Sequence, residues 1–273
     1  MPEFKNITFW INGPIAKIQF NRPKKKNAIS PQMHQEISDA ISKLERMDGV
    51  KVLILTGSSD SFCAGMDLEK YFLEPYSNPE ELVRVKRLAS SWYIRLRNLP
   101  AVSIAAVNGW CFGGGVCIAA ICDIVIAAEE AIFGLSEVNF GLFPGGGTMW
   151  AVAKSMNRKQ ALYFSLTGET FDGRKAVELG LATRAVPLNK LEKETKRLAD
   201  VLVRKNKFTL PIIKDVFEKS IQMNFQDSID WELAKEHELT YESGASWVKK
   251  GLTQFKNRKY RPGFESYQIG KDE

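Results

Sequence analysis

Three stretches of the chain carry residues whose types and spacing suit chemistry. The first is Asn108-Gly109-Trp110-Cys111-Phe112-Gly113-Gly114-Gly115, which follows the apolar run Val102 to Val107 and precedes the short apolar segment Val116 to Ile121. Successive glycines between a strand and a helix let a ligand approach the backbone closely, and the helix N-terminus offers unpaired N–H groups. The second is Ser61-Phe62-Cys63-Ala64-Gly65-Met66-Asp67-Leu68, which follows the run Val52 to Thr56 in the same way. Two such loops on neighbouring buried strands can each present one N–H to a single oxygen, the geometry of an oxyanion hole. Either loop alone is equally a tight turn with close helix–strand packing. The third stretch, Phe133 to Gly141, holds Glu137 among apolar residues and glycines. Desolvation there raises a carboxyl pKa into a useful acid–base range. A solvent-facing glutamate at a loop corner satisfies the same spacing.

Other chemistries lack their residues. The only histidines are His34 and His237. Both are expected in polar helical surroundings and neither lies near a Ser or Cys nucleophile motif, which argues against metal chemistry and Ser-His-Asp hydrolysis. Cys63, Cys111, Cys117 and Cys122 form no CxxC pair and read as reduced thiols of a cytoplasmic protein. The Asn6-Ile7-Thr8 sequon is therefore read as chance. No GxGxxG or GxxxxGK[ST] occurs, so the glycines mark neither a dinucleotide site nor a P-loop. The 273 residues carry 38 Lys+Arg against 32 Asp+Glu, a net charge of +6. That surplus is not gathered into one arm, so nucleic-acid binding is not expected, although an anionic small partner would suit it. The first residues, Met1 to Asn6, contain no apolar signal core, and no run reaches the ~18 apolar residues of a membrane span.

These residues need a scaffold of alternating strands and helices. Ile7 to Trp10 and Ile15 to Phe20 flank Asn12-Gly13-Pro14 and read as a hairpin. Met33, Ile37, Ile41 and Leu44 recur at helical spacing behind Ser30 and Pro31, a cap and a first-turn proline. Val52 to Thr56, Val102 to Val107, Ile124 to Ala128 and Ala182 to Val186 read as strands, and Pro79 to Asn98 as an amphipathic helix. The buried, repeated strand–helix pattern predicts an α/β fold. Beyond it, Leu191 to Lys205, Leu210 to Asn224 and Ser228 to Gln254 read as helices. The chain is therefore divided into an α/β core over 1–190 that carries the site and a helical region over 191–273.

The ordered series F-x-A-G-M-D-L, N-G-x-x-x-G-G-G, C-D, F-G-x-x-E, G-x-x-P-G-G-G and T-G-x-x-x-x-x-x-x-A-x-x-x-G-L-A resembles the crotonase, or enoyl-CoA hydratase/isomerase, superfamily. The resemblance runs from Ile7 to about Arg261. Within the superfamily, GMDLEKYF, VNGWCFGGG and FGLSEVNFG look most like the hydroxycinnamoyl-CoA (feruloyl-CoA) hydratase-lyases. The resemblance implies a spiral of β-β-α units with C-terminal helices that pack subunits into trimers or dimers of trimers. It implies that the Met66 and Gly114 N–H groups hold a thioester oxygen as it gains enolate charge, each donor typically worth ~3 kcal/mol of barrier. Glu137 takes the place of the catalytic carboxylate. Ordinary hydratases have a second glutamate where this chain has Cys117, so a single-carboxylate site is implied.

The substrate contacts are carried over in the same way. Tyr71 matches a tyrosine that the hydratase-lyases use near the substrate phenol, whereas Leu233 replaces their second phenol-contacting tyrosine. Asn21 to Ala28 matches a CoA-contact loop, with Lys25 as its phosphate ligand, and Ala28, Ala64 of the AGMD loop and Cys117 are assigned to substrate binding. Phe255-Lys256-Asn257-Arg258-Lys259 matches a tail that reaches the nucleotide end of CoA, which assigns Phe255 and Arg258 to substrate binding. Trp110 and Phe140 flank the motifs and are expected to wall the acyl pocket, or else to belong to the core. CoA enters only as part of the substrate, so no separate cofactor is implied. Hydration of a trans-2-enoyl-CoA, with aryl cleavage to an aldehyde and acetyl-CoA, leads the readings. A Δ3,Δ2-enoyl-CoA isomerase and a non-catalytic acyl-CoA-binding protein are the alternatives. The absence of a histidine from every site motif disfavours thioester dehalogenation.

Overall fold

The computed structural model describes residues 4–263 and 266–268. The chain folds as two compact units, with the boundary between Leu198 and Ala199. The first unit opens with the antiparallel hairpin β1 (Ile7–Asn12) and β2 (Ile15–Phe20), as the Asn-Gly-Pro turn predicts. Helix α1 (Pro31–Glu45) begins where expected: the Ser30 Oγ accepts from the Met33 N–H at 3.2 Å, and Pro31 occupies the first turn.

Thereafter the chain repeats one motif, a long strand, a short strand and a helical segment. The first repeat is β3 (Val52–Gly57), β4 (Ser61–Cys63) and α2 (Pro79–Asn98); the second is β5 (Val102–Val107), β6 (Trp110–Phe112) and α3 (Gly114–Ile121). The third is β7 (Ile124–Ala128), β8 (Ile132–Gly134) and the 3-10 turn Ser136–Phe140. Helices α4 (Thr148–Ser155), α5 (Arg158–Thr167) and α6 (Gly173–Glu178) follow, with strands β9 (Thr170–Asp172) and β10 (Arg184–Val186) among them. The long strands form a six-stranded sheet ordered β1-β2-β3-β5-β7-β10, parallel except for the hairpin. The short strands form a second sheet ordered β4-β6-β8-β9. This is the α/β spiral of β-β-α units that the sequence implies. Every residue of β3 and β5 is buried, which explains why these strands read as unbroken apolar runs rather than alternating ones.

Because each long strand hands over to a short strand and then to a helix, the loops after β4, β6 and β8 emerge side by side. β4 pairs with β6, and β6 with β8. These are the three loops that carry Met66, Gly114 and Glu137.

Helix α7 (Leu188–Val203) spans the boundary between the units, and the second unit continues with α8 (Thr209–Ser220) and α9 (Phe225–Glu242). The single helix predicted over Ser228 to Gln254 is interrupted. The backbone turns left-handed at Gly244 and Ala245 (φ +57° each) before a π turn at Trp247–Leu252 and the short α10 (Thr253–Lys256). Its charged, strand-free composition gives no period break at that point, so only the glycine signals it. Among the described residues no helix is long and apolar enough to cross a membrane.

Candidate active site

The loop after β4 is clamped by the segment that precedes α1. The Ala64 N–H donates to the Lys26 carbonyl (2.9 Å), the Ile29 N–H to Gly65 (2.8 Å), and the Asp67 N–H to Ile29 (3.0 Å). The Arg22 guanidinium meets the buried Asp67 carboxylate at 2.8 Å and also donates to the Ala28 carbonyl. Burial alone would push the Asp67 carboxyl up, but Arg22, the Lys70 N–H and the Lys25 charge together outweigh it and hold the group below the usual carboxylate range. The Gly65 N–H is taken by the Cys63 Sγ at 3.4 Å. Between these engaged amides, the Met66 N–H makes no hydrogen bond among the described residues.

The loop after β6 approaches it closely. A Cβ on Gly65 would stand 3.5 Å from the Gly114 nitrogen, and a Cβ on Gly114 would stand 2.3 Å from the Met66 Cε. Gly114 opens α3, where first-turn N–H groups have no acceptor within the helix. Gly113, at φ +49°, lies in the region that L side chains rarely adopt, and its missing Cβ leaves room for a carboxylate: an added methyl would lie 2.7 Å from the Glu137 Oε1. The fold thus brings the two N–H-bearing loops and Glu137 together.

Glu137 sits on the 3-10 turn after β8, which is closed by the Gly141 N–H to Val138 and the Leu142 N–H to the Glu137 carbonyl (both 3.0 Å). Its Oε2 is buried without a partner among the described residues, and desolvation raises its pKa. Such an unsatisfied acceptor costs about 1–3 kcal/mol unless a ligand or water fills it. Cys117, one turn into α3, is buried, and its thiol contacts the Gly146 carbonyl at 3.8 Å. Burial pushes its pKa up to about 12, and the Glu137 charge adds to the rise. It is a neutral thiol and supplies no second carboxylate.

Tyr71 lies on the π turn Leu68–Leu73, which Asp67 caps through the Lys70 N–H (3.3 Å). It is 7% exposed, and its ring centroid is 5.5 Å from that of His34. Here the polar surroundings expected for His34 are overturned, because the side chain is fully buried. Its Nδ1 accepts from the Trp92 indole at 2.8 Å, so the neutral ring carries its proton on Nε2, 3.3 Å from the Met66 Sδ. Desolvation pushes its pKa down to about 3. The signal was present in the sequence: His34 stands at helical spacing from Ile37 and Ile41, on the apolar face of α1. His237 is exposed on α9.

The remaining candidates lie on the flanking loops of the first unit or in the second unit. Lys25 is exposed on the 3-10 turn Pro23–Lys25, 3.8 Å from Glu69, while Ala28 and Ala64 are half-buried in the clamped segments. The neighbouring Lys26, not singled out in the sequence, pairs with Asp60 and lies 5.5 Å from the ring of Trp110. Trp110 is 41% exposed and stacks on Phe112, and Phe140 is 62% exposed, so neither is a core residue. In the second unit, Phe255 and Leu233 are exposed, and Arg258 adopts φ +56° just beyond α10. Among the described residues no cluster of three or more His, Cys, Asp or Glu side chains could hold a metal.

The sequence profile of the enoyl-CoA hydratase/isomerase family matches residues 11–266. The chain belongs to this family. Among its relatives is a hydroxycinnamoyl-CoA hydratase-lyase of Pseudomonas fluorescens, 38% identical over 97% of both chains. A 1,2-epoxyphenylacetyl-CoA isomerase of Escherichia coli is 30% identical over 80% of this chain and 84% of its own. The crystal structure of an enoyl-CoA hydratase from Bacillus anthracis superimposes with a TM-score of 0.87, at 25% identity, covering 98% of this chain and all of that one. As an enoyl-CoA hydratase/isomerase family member, the chain has a fold and a motif set suited to acyl-CoA thioesters.

Proposed function

We propose that this protein hydrates a trans-2-enoyl-CoA whose acyl group is a hydroxycinnamoyl unit, and then cleaves the adduct to an aromatic aldehyde and acetyl-CoA. The observation that carries the reading is the desolvated Glu137 carboxylate, packed against Gly113 beside the unengaged Met66 and Gly114 amides. The thioester oxygen accepts from both N–H groups, which draws charge out of the double bond. Glu137 takes a proton from water as the water oxygen bonds to C3, and returns that proton to C2 of the resulting enolate. In the second stage Glu137 takes the proton of the new hydroxyl. The C2–C3 bond breaks, the aldehyde leaves, and the enolate of acetyl-CoA receives that proton. Tyr71 is assigned to the aryl end, and Lys25 to a phosphate of CoA. A cytoplasmic location fits four cysteines that are all unbridged.

The neutral Cys117 also favours a second reading, isomerisation of a 3-enoyl-CoA with Glu137 alone carrying the proton from C4 to C2. Feruloyl-CoA, crotonyl-CoA and 3-hexenoyl-CoA assayed side by side separate the two. Cleavage yields an aldehyde, hydration adds the mass of one water, and isomerisation in deuterated water moves the double bond. Glu137→Ala is expected to lower turnover of feruloyl-CoA by about 10²–10⁴-fold, the usual contribution of a positioned acid–base group. The acid limb of the wild-type kcat/KM profile is expected above the ordinary carboxylate value, because desolvation favours the protonated form. Wild-type turnover by Glu137→Ala would overturn the assignment.

A further inference from the structure

Behind the Met66 N–H lies a buried polar chain that the reaction leaves without a task. The Trp92 indole, on α2, donates to the His34 Nδ1 at 2.8 Å, and the His34 Nε2 stands 3.3 Å from the Met66 Sδ. Trp92 and His34 are both fully buried. An indole can only donate, so Nδ1 is the acceptor and the neutral ring turns its one N–H toward the sulfur. Apolar side chains would fill the same space without the cost of burying polar groups. On either side of Met66 the backbone is fixed, with the Ile29 N–H donating to Gly65 (2.8 Å) and the Asp67 N–H to Ile29 (3.0 Å). Neither bond engages Met66 itself, whose side chain is the remaining anchor. A methionine side chain has three rotatable bonds and selects no single rotamer on its own. Here its sulfur meets His34 while its Cε lies across Gly114, where an added Cβ would stand 2.3 Å away. One side chain thus spans from α1 to the second donor loop.

We infer that His34 is a positioning residue for the reaction: held by Trp92, it fixes the Met66 thioether against Gly114 and so sets the spacing of the two amides that receive the thioester oxygen. This rests on the reading of those amides as an oxyanion hole given above. Groups that hold a site in its productive geometry act by locking the rotamers of the residues in front of them. Loss of one oxyanion donor lowers kcat by about 10²–10³-fold, and a donor merely loosened should cost about tenfold.

The experiment measures kcat and KM of His34→Leu, His34→Gln, Met66→Leu and the His34→Leu/Met66→Leu double variant. The substrate is whichever of feruloyl-CoA, crotonyl-CoA and 3-hexenoyl-CoA the wild type turns over. His34→Leu should lower kcat about tenfold with KM changed less than about twofold, because the hole acts on the transition state. His34→Gln, which keeps an N–H for the sulfur, should recover most of that loss. With Met66→Leu already in place, His34→Leu should cost nothing more, since the contact it breaks is gone. Wild-type kcat in His34→Leu, an equal fall in His34→Gln, or losses that multiply in the double variant would each overturn the inference. If His34→Leu does not fold, Trp92→Phe is read instead. It removes the indole N–H that fixes the tautomer, and an unchanged kcat there overturns the inference. Wild type that turns over none of the three thioesters removes the proposed function itself, and this inference with it. That outcome is read without any variant.

Discussion

His34 is wholly enclosed, with Tyr71, Trp92 and Tyr93 around its ring and Met66 at its Nε2. It connects α2 to the loop whose amide faces the candidate oxyanion site, and it does so as a neutral imidazole. In the unfolded chain the imidazole takes up a proton near pH 6.5, but in the native protein only near pH 3. Between those values the unfolded chain binds one more proton, so stability rises with pH, by up to about 1.4 kcal/mol per unit, and is lost as pH falls. His34→Gln keeps an acceptor for the Trp92 indole and a donor for the Met66 sulfur, but does not titrate. Urea unfolding of both proteins from pH 4 to pH 8 should give a stability difference that slopes below about 6.5 and is level above it. Parallel curves throughout would show that His34 does not titrate in this way. The buried ring was legible in principle, since its spacing places it on the apolar face of α1. The Trp92 partner was not, because the contact spans 58 residues of sequence and no local period reports it.

The elements that build the site were legible where one physical rule governs them. The hairpin turn, the capped start of α1 and the buried strands β3, β5 and β7 all follow from turn residues, a cap or an apolar run. The glycines after β6 were legible as a loop near a ligand, but their actual task is a matter of approach. Gly113 leaves the space that the Glu137 Oε1 occupies, and only the pairing of β6 with β8 reveals the contact. The break in the C-terminal helix was missed because helical composition continues through Gly244. Gly113→Ala adds a methyl that would stand 2.7 Å from that carboxylate oxygen and imposes a strained φ on the new side chain. Displacement of about 1 Å at a catalytic group can cost on the order of 10²-fold. Steady-state kinetics should therefore show kcat reduced about 10²-fold with KM little changed. A variant that weakens KM alone would mean that the loop binds CoA and does not position Glu137.

At the level of the complete chain, the second unit shows more apolar surface than a solitary helical layer needs. Ile213 and Phe217 on α8, with Ile221 just after it, are exposed and spaced four residues apart, so they form one stripe along the helix. Phe225 and Tyr241 on α9 are more than four-fifths exposed. Contiguous apolar surface of this kind marks an interface, and the resemblance that identified the candidate site also implies a trimer or dimer of trimers. The net charge of +6 on 273 residues does not oppose assembly strongly. Light scattering should give a mass three or six times the 30.8 kDa of one chain. Replacing Ile213 and Phe217 together by Glu places two charges in that stripe, where desolvating them is unfavourable, and should shift the population to the single-chain mass. If wild type already runs at the mass of one chain, the stripe serves no self-association, and the helical unit must be assigned another role.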